Sequence, residues 1–336
     1  MAPLRMDVAA ETLRLAEPFR IAGHVFETAE VLTVALDDGT HRGLGEGGGV
    51  YYLSDDLAHM QGELARVRDA IEAGPTREEL RVILPPGGAR NAVDAALWDL
   101  EAKRAGQAVW RLAGVPEPRP IVTTFTVGAG DPAAMAAKAA SYTGARSIKV
   151  KLTGDLDLDL DRIAAVRAAR PDVWLGVDGN QGFTRADLPR LIDGLVAAGV
   201  ALLEQPLPRG REAELEGLGS PIPIAGDESQ LSLADVAGAV GRFDVVNIKL
   251  DKCGGLTEGL LMAAEARARG LGVMVGTMVG TSLATAPGFV LGQVADLVDL
   301  DGPTFLAADR SPSVTYRDGL LFAGPEVWGA PEPVLA

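Results

Sequence analysis

A single cysteine, Cys253, stands among the 336 residues, so no disulfide can close within the chain and nothing in it points to an oxidising compartment. The cytoplasm is the expected location. Histidine is almost as scarce: His24, His41 and His59 all fall in the first sixty residues, so acid/base chemistry in the larger remainder must run on lysine, carboxylates or tyrosine. Long hydrophobic runs are missing too. No stretch of 18 uncharged apolar residues occurs, and charges interrupt the first residues every few positions, so neither a membrane span nor a Sec-type export signal is expected. Positive charge is in deficit, with 31 Lys+Arg against 46 Asp+Glu and a net charge of −15. That balance repels phosphate backbones and argues against nucleic acid or an anionic membrane as partner. The basic residues are 25 arginines and only 6 lysines, at 103, 138, 149, 151, 249 and 252, so each lysine calls for a reason.

What is present is a chain with 47% hydrophobic residues, long enough for a barrel-sized unit plus an accessory domain. Residues 4–15, 29–37 and 42–46 read as strands, the last two joined by a turn at Asp37-Asp38-Gly39-Thr40. Helical periodicity follows over 54–73 and 90–105, where Val93, Ala96, Leu97 and Leu100 share a face. Pro116, Pro118 and Pro120 then mark a boundary. Beyond it β-rich runs begin near Ile121, Ser147, Leu175, Ala201, Ile224, Val245, Gly272 and Asp296, spaced by 21 to 28 residues and separated by helical patterns such as 159–169 and 257–269. This predicts an α/β fold: a parallel β/α barrel over 117–309 behind an α+β domain over 1–116, which the tail 310–336 is expected to complete.

Barrel strands are covered outside and packed inside, so a charge has no solvated place except near the C-terminal mouth. The charges fall there. Lys149 and Lys151 end the second strand, Asp178 the third, Glu204 the fourth, Asp227 and Glu228 the fifth, Lys249 the sixth, and Asp299 and Asp301 the eighth. Structural ion pairs closing the barrel are the plainer alternative. Asp178, Glu204 and Asp227 are separated by 26 and 23 residues, the strand-helix repeat itself. Each alone would pass for a helix N-cap, but three converging carboxylates need a cation between them, and an all-oxygen set without Cys or His favours Mg²⁺, with Mn²⁺ as second choice. In Ile148-Lys149-Val150-Lys151-Leu152 the period of two sends both lysines to the lumen, where mutual repulsion and burial are expected to lower their pKa values toward those of general bases. Lys249 approaches from the opposite wall, so Lys151 and Lys249 are expected to flank one substrate carbon. Lys252 reads as an ordinary loop lysine.

Together, the K-x-K strand, DGNQGF at Asp178, EQP at Glu204, GDES at Asp227, NIKLDKCGG at Lys249 and the ALWDLEAK helix resemble the enolase superfamily, muconate-lactonising subgroup, over nearly the whole chain. The resemblance implies a (β/α)₇β TIM-like barrel with an N-terminal capping domain, Mg²⁺ on Asp178, Glu204 and Asp227, and Lys151 and Lys249 as opposed acid/base catalysts with Lys149 supporting. Asp299-Leu300-Asp301 is similar to the D-x-D element of dipeptide epimerases, in which two carboxylates hold the substrate's free ammonium. The implied activity is Mg²⁺-dependent inversion of the α-carbon of a dipeptide's C-terminal residue by 1,1-proton transfer through an enediolate. N-acylamino acid racemase, o-succinylbenzoate synthase and muconate-type cycloisomerase are the same-fold alternatives, and a non-catalytic metal-binding barrel is the remote one. Thr126 and Phe26 are expected to complete the substrate contacts. The L-Ala-D/L-Glu epimerases carry an arginine in the capping loop for the glutamate, and Gly23 stands at the comparable place, so an acidic second residue is not expected. Acidic and aromatic residues at Glu46, Tyr51, Tyr52, Asp55 and Asp56 would either face a different side chain or form a solvated loop. Homo-oligomerisation stays open.

Overall fold

The computed structural model describes residues 3–21 and 23–331; residues 1–2, 22 and 332–336, all within the spans expected for the capping domain, lie outside the described residues. The chain opens with an antiparallel meander of β1 (Arg5–Ile21), β2 (His24–Asp37) and β3 (Arg42–Gly48). The β2–β3 turn forms where it was expected, with Asp38 Oδ1 accepting from the amides of Thr40 and His41. β1 and β2 run much further than expected. The segment between 15 and 29 is a β-ribbon, with Phe19 paired to Phe26 and Ile21 to His24 after a register shift beyond Arg14. Pro18, which has no amide to donate, falls inside that shift, and it interrupts the alternation that would have revealed the ribbon.

Helix α1 (Leu57–Glu72) is capped by Asp56, and α2 (Arg77–Ile83) by a reciprocal Thr76–Glu79 box. α2 is too short to establish a period, although its capping box is legible in the sequence. α3 (Gly88–Ala105) is buried on nearly every side, because it is sandwiched between the meander and the barrel. Gly43, Gly45 and Gly47 alternate on the face of β3 that meets it, and a Cβ on Gly45 would run into the Ala92 carbonyl and the Ala96 amide. Gly45→Ala is therefore expected to destabilise the fold by about 3 kcal/mol, since backbone rather than a yielding side chain stands in the way. Urea unfolding checks this. α3 is bolted to the barrel behind its sixth strand: Asn91 Nδ2 donates to Asp251 (2.7 Å), Trp98 Nε1 to Thr257 Oγ1 (3.0 Å), and the Thr257 amide to Asp94 (3.0 Å).

The run expected as one strand from Ile121 divides at Thr123. β4 (Ile121–Val122) pairs with the tail, and the barrel begins with β5 (Thr124–Val127). β6 (Ser147–Lys151), β7 (Trp174–Asp178), β8 (Leu202–Glu204), β9 (Ile224–Gly226), β10 (Val245–Lys249), β11 (Gly272–Gly276) and β12 (Leu297–Asp299) follow in sequence order, all parallel. Side chains help close the seam between the last strand and the first: the Leu300 amide donates to Thr123 Oγ1 (3.0 Å) and the Thr126 amide to Asp301 (2.6 Å). The tail touches the capping domain at both of its ends. Arg310 reaches Glu11 and Glu46 there, but β13 (Thr315–Arg317) and β14 (Leu320–Phe322) extend β4, and only then does Trp328 Nε1 donate to the Leu44 carbonyl (2.9 Å). The run of alternating aspartates at 155–161 is not uniformly solvated either. Asp155 caps the following helix, whereas Asp159 is buried and accepts from the amides of Thr153 and Gly154 and from Arg162.

Candidate active site

Parallel registers set the C-terminal strand ends side by side. Lys151 is level with Asp178, and Asp178 with Glu204. Asp227 follows one residue beyond β9. One oxygen from each of Asp178, Glu204 and Asp227 lies within 4.8 Å of the others, and all three residues are buried. Period two works on β6 as expected: Ile148, Val150 and Leu152 join the barrel-helix core while Lys149 and Lys151 turn inward. β6 and β10 stand four strands apart among eight, so Lys151 and Lys249 face each other across the lumen.

Each ammonium docks on this carboxylate cluster. Lys151 Nζ donates to Asp178 Oδ2 (2.5 Å) and Lys249 Nζ to Asp227 Oδ2 (2.6 Å). Lys149 donates to Glu204 Oε2 (3.0 Å) and also to Asp299 Oδ2. The expected depression of the lysine pKa does not hold for Lys149, and Lys249 is raised in the same way. Burial lowers both, but neighbouring carboxylates outweigh it, Asp299 and Glu204 around Lys149 and Asp227 and Glu204 around Lys249, and hold both protonated well above the usual range. The carboxylates respond in turn. Burial together with Asp178 pushes Glu204 up to about 7; burial together with Asp227 pushes Glu228 up to about 8; on Asp227 itself burial is overcome by Lys249 and Lys252, which hold it well below the usual range.

Two further residues complete the cluster, Lys252, which the sequence reading assigned to a loop, and Asn247, which it passed over. Lys252 is no loop lysine: a single helical turn after β10, Leu250–Cys253, folds it back so that Nζ donates to Asp227 Oδ1 (2.5 Å) and to the Asn247 carbonyl (3.0 Å). Asn247, two residues before Lys249 and so on the same inward face, donates to Glu204 Oε1 (2.8 Å). The rarity of lysine was a usable signal for the first, and strand alternation for the second. Nearby, Asn180 Oδ1, Glu228 Oε2 and Asp299 Oδ1 are buried without a hydrogen-bond partner. Hard oxygens brought this close, with further unpaired acceptors beside them, fit a hard cation such as Mg²⁺ and no soft metal.

Above the cluster lies a cavity of about 360 Å³. Its floor is Lys149, Lys151, Asp227, Lys249 and Asp299, and its wall includes Thr126 and Asp301. Asp301 follows β12 by two residues, as alternation required, and faces the same space as Asp299. Burial and the charge of Asp299 push its carboxyl up to about 7. Phe26 lines the roof, so every residue expected at the site reaches either the cluster or the cavity. Gly23 does not: it occupies the ribbon turn at φ +72°, and Ile21 and Phe26 are the nearby residues that face inward. Tyr51, Tyr52, Asp55 and Asp56 also line the cavity rather than a solvated loop, whereas Glu46 is buried beneath the sheet, bound to Thr281 and Arg310. No described helix is long and apolar enough to cross a membrane.

Residues 4–114 match the family model for the mandelate racemase / muconate lactonizing enzyme N-terminal domain, and residues 132–316 the one for the enolase C-terminal domain-like fold. The chain is 41% identical over 318 residues to the L-Ala-D/L-Glu epimerase of Escherichia coli K12, covering 94% of this chain and 98% of that one. Among solved structures it resembles an Agrobacterium tumefaciens enolase family member with homology to dipeptide epimerases, which holds sodium and L-Ala-L-Glu, at TM-score 0.92 and 38% identity, with 97% and 100% of the two chains covered. The dipeptide epimerase of Methylococcus capsulatus, complexed with Mg and L-Arg-D-Lys, matches at TM-score 0.88 and 29% identity, covering 96% and 97%.

Proposed function

The chain belongs to the mandelate racemase / muconate lactonizing group of the enolase superfamily, and from that premise we propose that it is a Mg²⁺-dependent dipeptide epimerase that inverts the α-carbon of the C-terminal residue. The observation that carries the reading is the placement of Asp299 and Asp301 in the same cavity as the opposed Lys151 and Lys249. A dipeptide offers an ammonium to the first pair and an α-proton to the second. Asp178, Glu204 and Asp227 are the residues that would hold Mg²⁺, and the ion would supply positive charge to stabilise the enediolate.

The other steps belong to side chains. Asp299 Oδ1 and the outer oxygen of Asp301 receive the ammonium, while the Thr126 amide fixes Asp301 through Oδ2. This orients the α-carbon between the two lysines; with Asp178 and Asp227 engaged by the cation instead of by the ammonium groups, one lysine in its neutral form would take the proton from its face and the other, still protonated, would deliver one to the opposite face, which inverts the centre. Lys149 supports by occupying Asp299 Oδ2 and Glu204, keeping a third positive charge under the reacting carbon. The lone cysteine, which can close no disulfide within the chain, supports the cytoplasm as the compartment.

The test separates this reading from an N-acylamino acid racemase. Asp301→Asn is the cleaner probe, because Asp299 also holds Lys149. It is expected to cost about 2–5 kcal/mol of kcat/KM with a free dipeptide, the scale for losing one side of a desolvated charge pair. N-acetylating the dipeptide should cost the wild-type protein a similar amount, and the two losses should not add, since they remove one interaction. A wild-type protein indifferent to acetylation refutes the ammonium site and favours the racemase.

A further inference from the structure

The cavity's floor and roof have opposite chemistry. Among the described residues that line it, the only cations are Lys149, Lys151 and Lys249, all on the floor and all bound to carboxylates, with no arginine or histidine. The roof comes from the capping domain. Along the β1–β2 ribbon, alternation points Phe19 and Ile21 from one strand and Phe26 from the other into the cavity, while Arg20 and Val25 face away and Arg20 is exposed. Phe19 packs on Phe305 at 4.6 Å between ring centroids, Phe26 on Tyr51 at 5.4 Å, and Tyr51 on Tyr52 at 5.1 Å. His24 stacks on Phe26 at 5.9 Å instead of lining the space. The charges that do reach this upper part are all acidic: Glu30 on β2, Asp55, which accepts from His59 Nδ1 (2.8 Å) and the Gly88 amide (2.9 Å), and Asp56, which caps α1.

We infer that the inverted residue of the substrate carries an apolar side chain, aromatic above all, and that glutamate is disfavoured there. This rests on the epimerase reading. With the α-carbon held between Lys151 and Lys249 and the ammonium at the end of β12, the side chain's open direction is upward, onto the aromatic roof. A glutamate there would bury its carboxylate against ring faces and beside Asp55 and Asp56 with no cation to meet it. A phenylalanine or leucine exchanges water for ring contacts.

The experiment compares L-Ala-L-Phe, L-Ala-L-Leu, L-Ala-L-Lys and L-Ala-L-Glu with the full-length protein and Mg²⁺ in D₂O, reading kcat/KM for α-deuterium uptake by mass spectrometry. The phenylalanine and leucine dipeptides are expected to exceed the glutamate one by on the order of a hundredfold, the discrimination expected when a polar group is left unpaired, with lysine below phenylalanine. Glutamate equal to or above phenylalanine overturns the inference, and lysine above both overturns it in favour of an acidic, cation-reading roof. Exchange with none of the four overturns the epimerase reading and this one with it. As a second measurement, Phe26→Arg, on a half-exposed ribbon where an arginine is readily accommodated, should shift the glutamate-to-phenylalanine ratio toward glutamate by about tenfold or more. A folded variant with an unmoved ratio removes Phe26 from the subsite and overturns the assignment.

Discussion

Lys151→Ala and Lys249→Ala are each expected to lower kcat/KM for epimerisation by on the order of a thousandfold, the usual contribution of a positioned acid or base. The expectation comes from their geometry: two ammonium groups enter from walls four strands apart, and each reaches only its own side of the lumen. Loss of one lysine therefore leaves one face of the α-carbon served. The variant that keeps Lys249 should still exchange the α-proton of one substrate isomer with solvent without inverting it, and the variant that keeps Lys151 should do so with the other isomer. Deuterium incorporation measured separately for the L,L and L,D dipeptides reads both. Inversion retained in either variant would sink the two-base scheme, and exchange of the same isomer by both would show that the lysines share a face.

The second large effect is loss of the metal. Three buried carboxylates whose oxygens come within 4.8 Å repel one another, and the elevated Glu204 shows that repulsion acting with burial. Chelation is expected to bring turnover to background and Mg²⁺ to restore it. A readout that does not pass through activity is thermal stability: a cation that binds the native cluster and not the unfolded chain raises Tm with concentration. Asp178→Asn should abolish most of that rise while leaving a folded protein, because it removes charge at a strand end rather than volume from the core. Full activity in metal-stripped protein, or a Tm indifferent to Mg²⁺ in the wild type, would defeat the assignment of Asp178, Glu204 and Asp227 as ligands.

How much of this was legible without coordinates varied with the range of the interaction involved. The barrel was visible because strand and helix alternate with a regular spacing, and its mouth was visible because a charge in a buried parallel strand has only one place to go. Asp178, Glu204 and Asp227, Lys149, Lys151 and Lys249, and Asp299 and Asp301 all followed from that rule and from period two. The ribbon over 15–28 was hidden by Pro18, a local break in a pattern that pairing across the strands carries past. α2 was hidden by its shortness, and the split of the first β run at Thr123 by the fact that its two halves pair with segments distant from each other in sequence, β14 and β6.

The amino-acid sequence by itself determined the repeat, the inward or outward sense of each strand residue, and the kinds of charge available to the site, because these depend on local backbone geometry and on composition. Tertiary structure decided which charges meet. Lys252 was a loop lysine until one helical turn aimed it at Asp227, and the low pKa expected of Lys149 became a high one because carboxylates from other strands outweigh burial. It also decided the roof: Phe26 and Tyr51 are 25 residues apart in the chain, and only the ribbon folding over the barrel mouth makes them one surface. Long-range electrostatics and cavity shape depend on distances through space, which spacing along a chain does not contain.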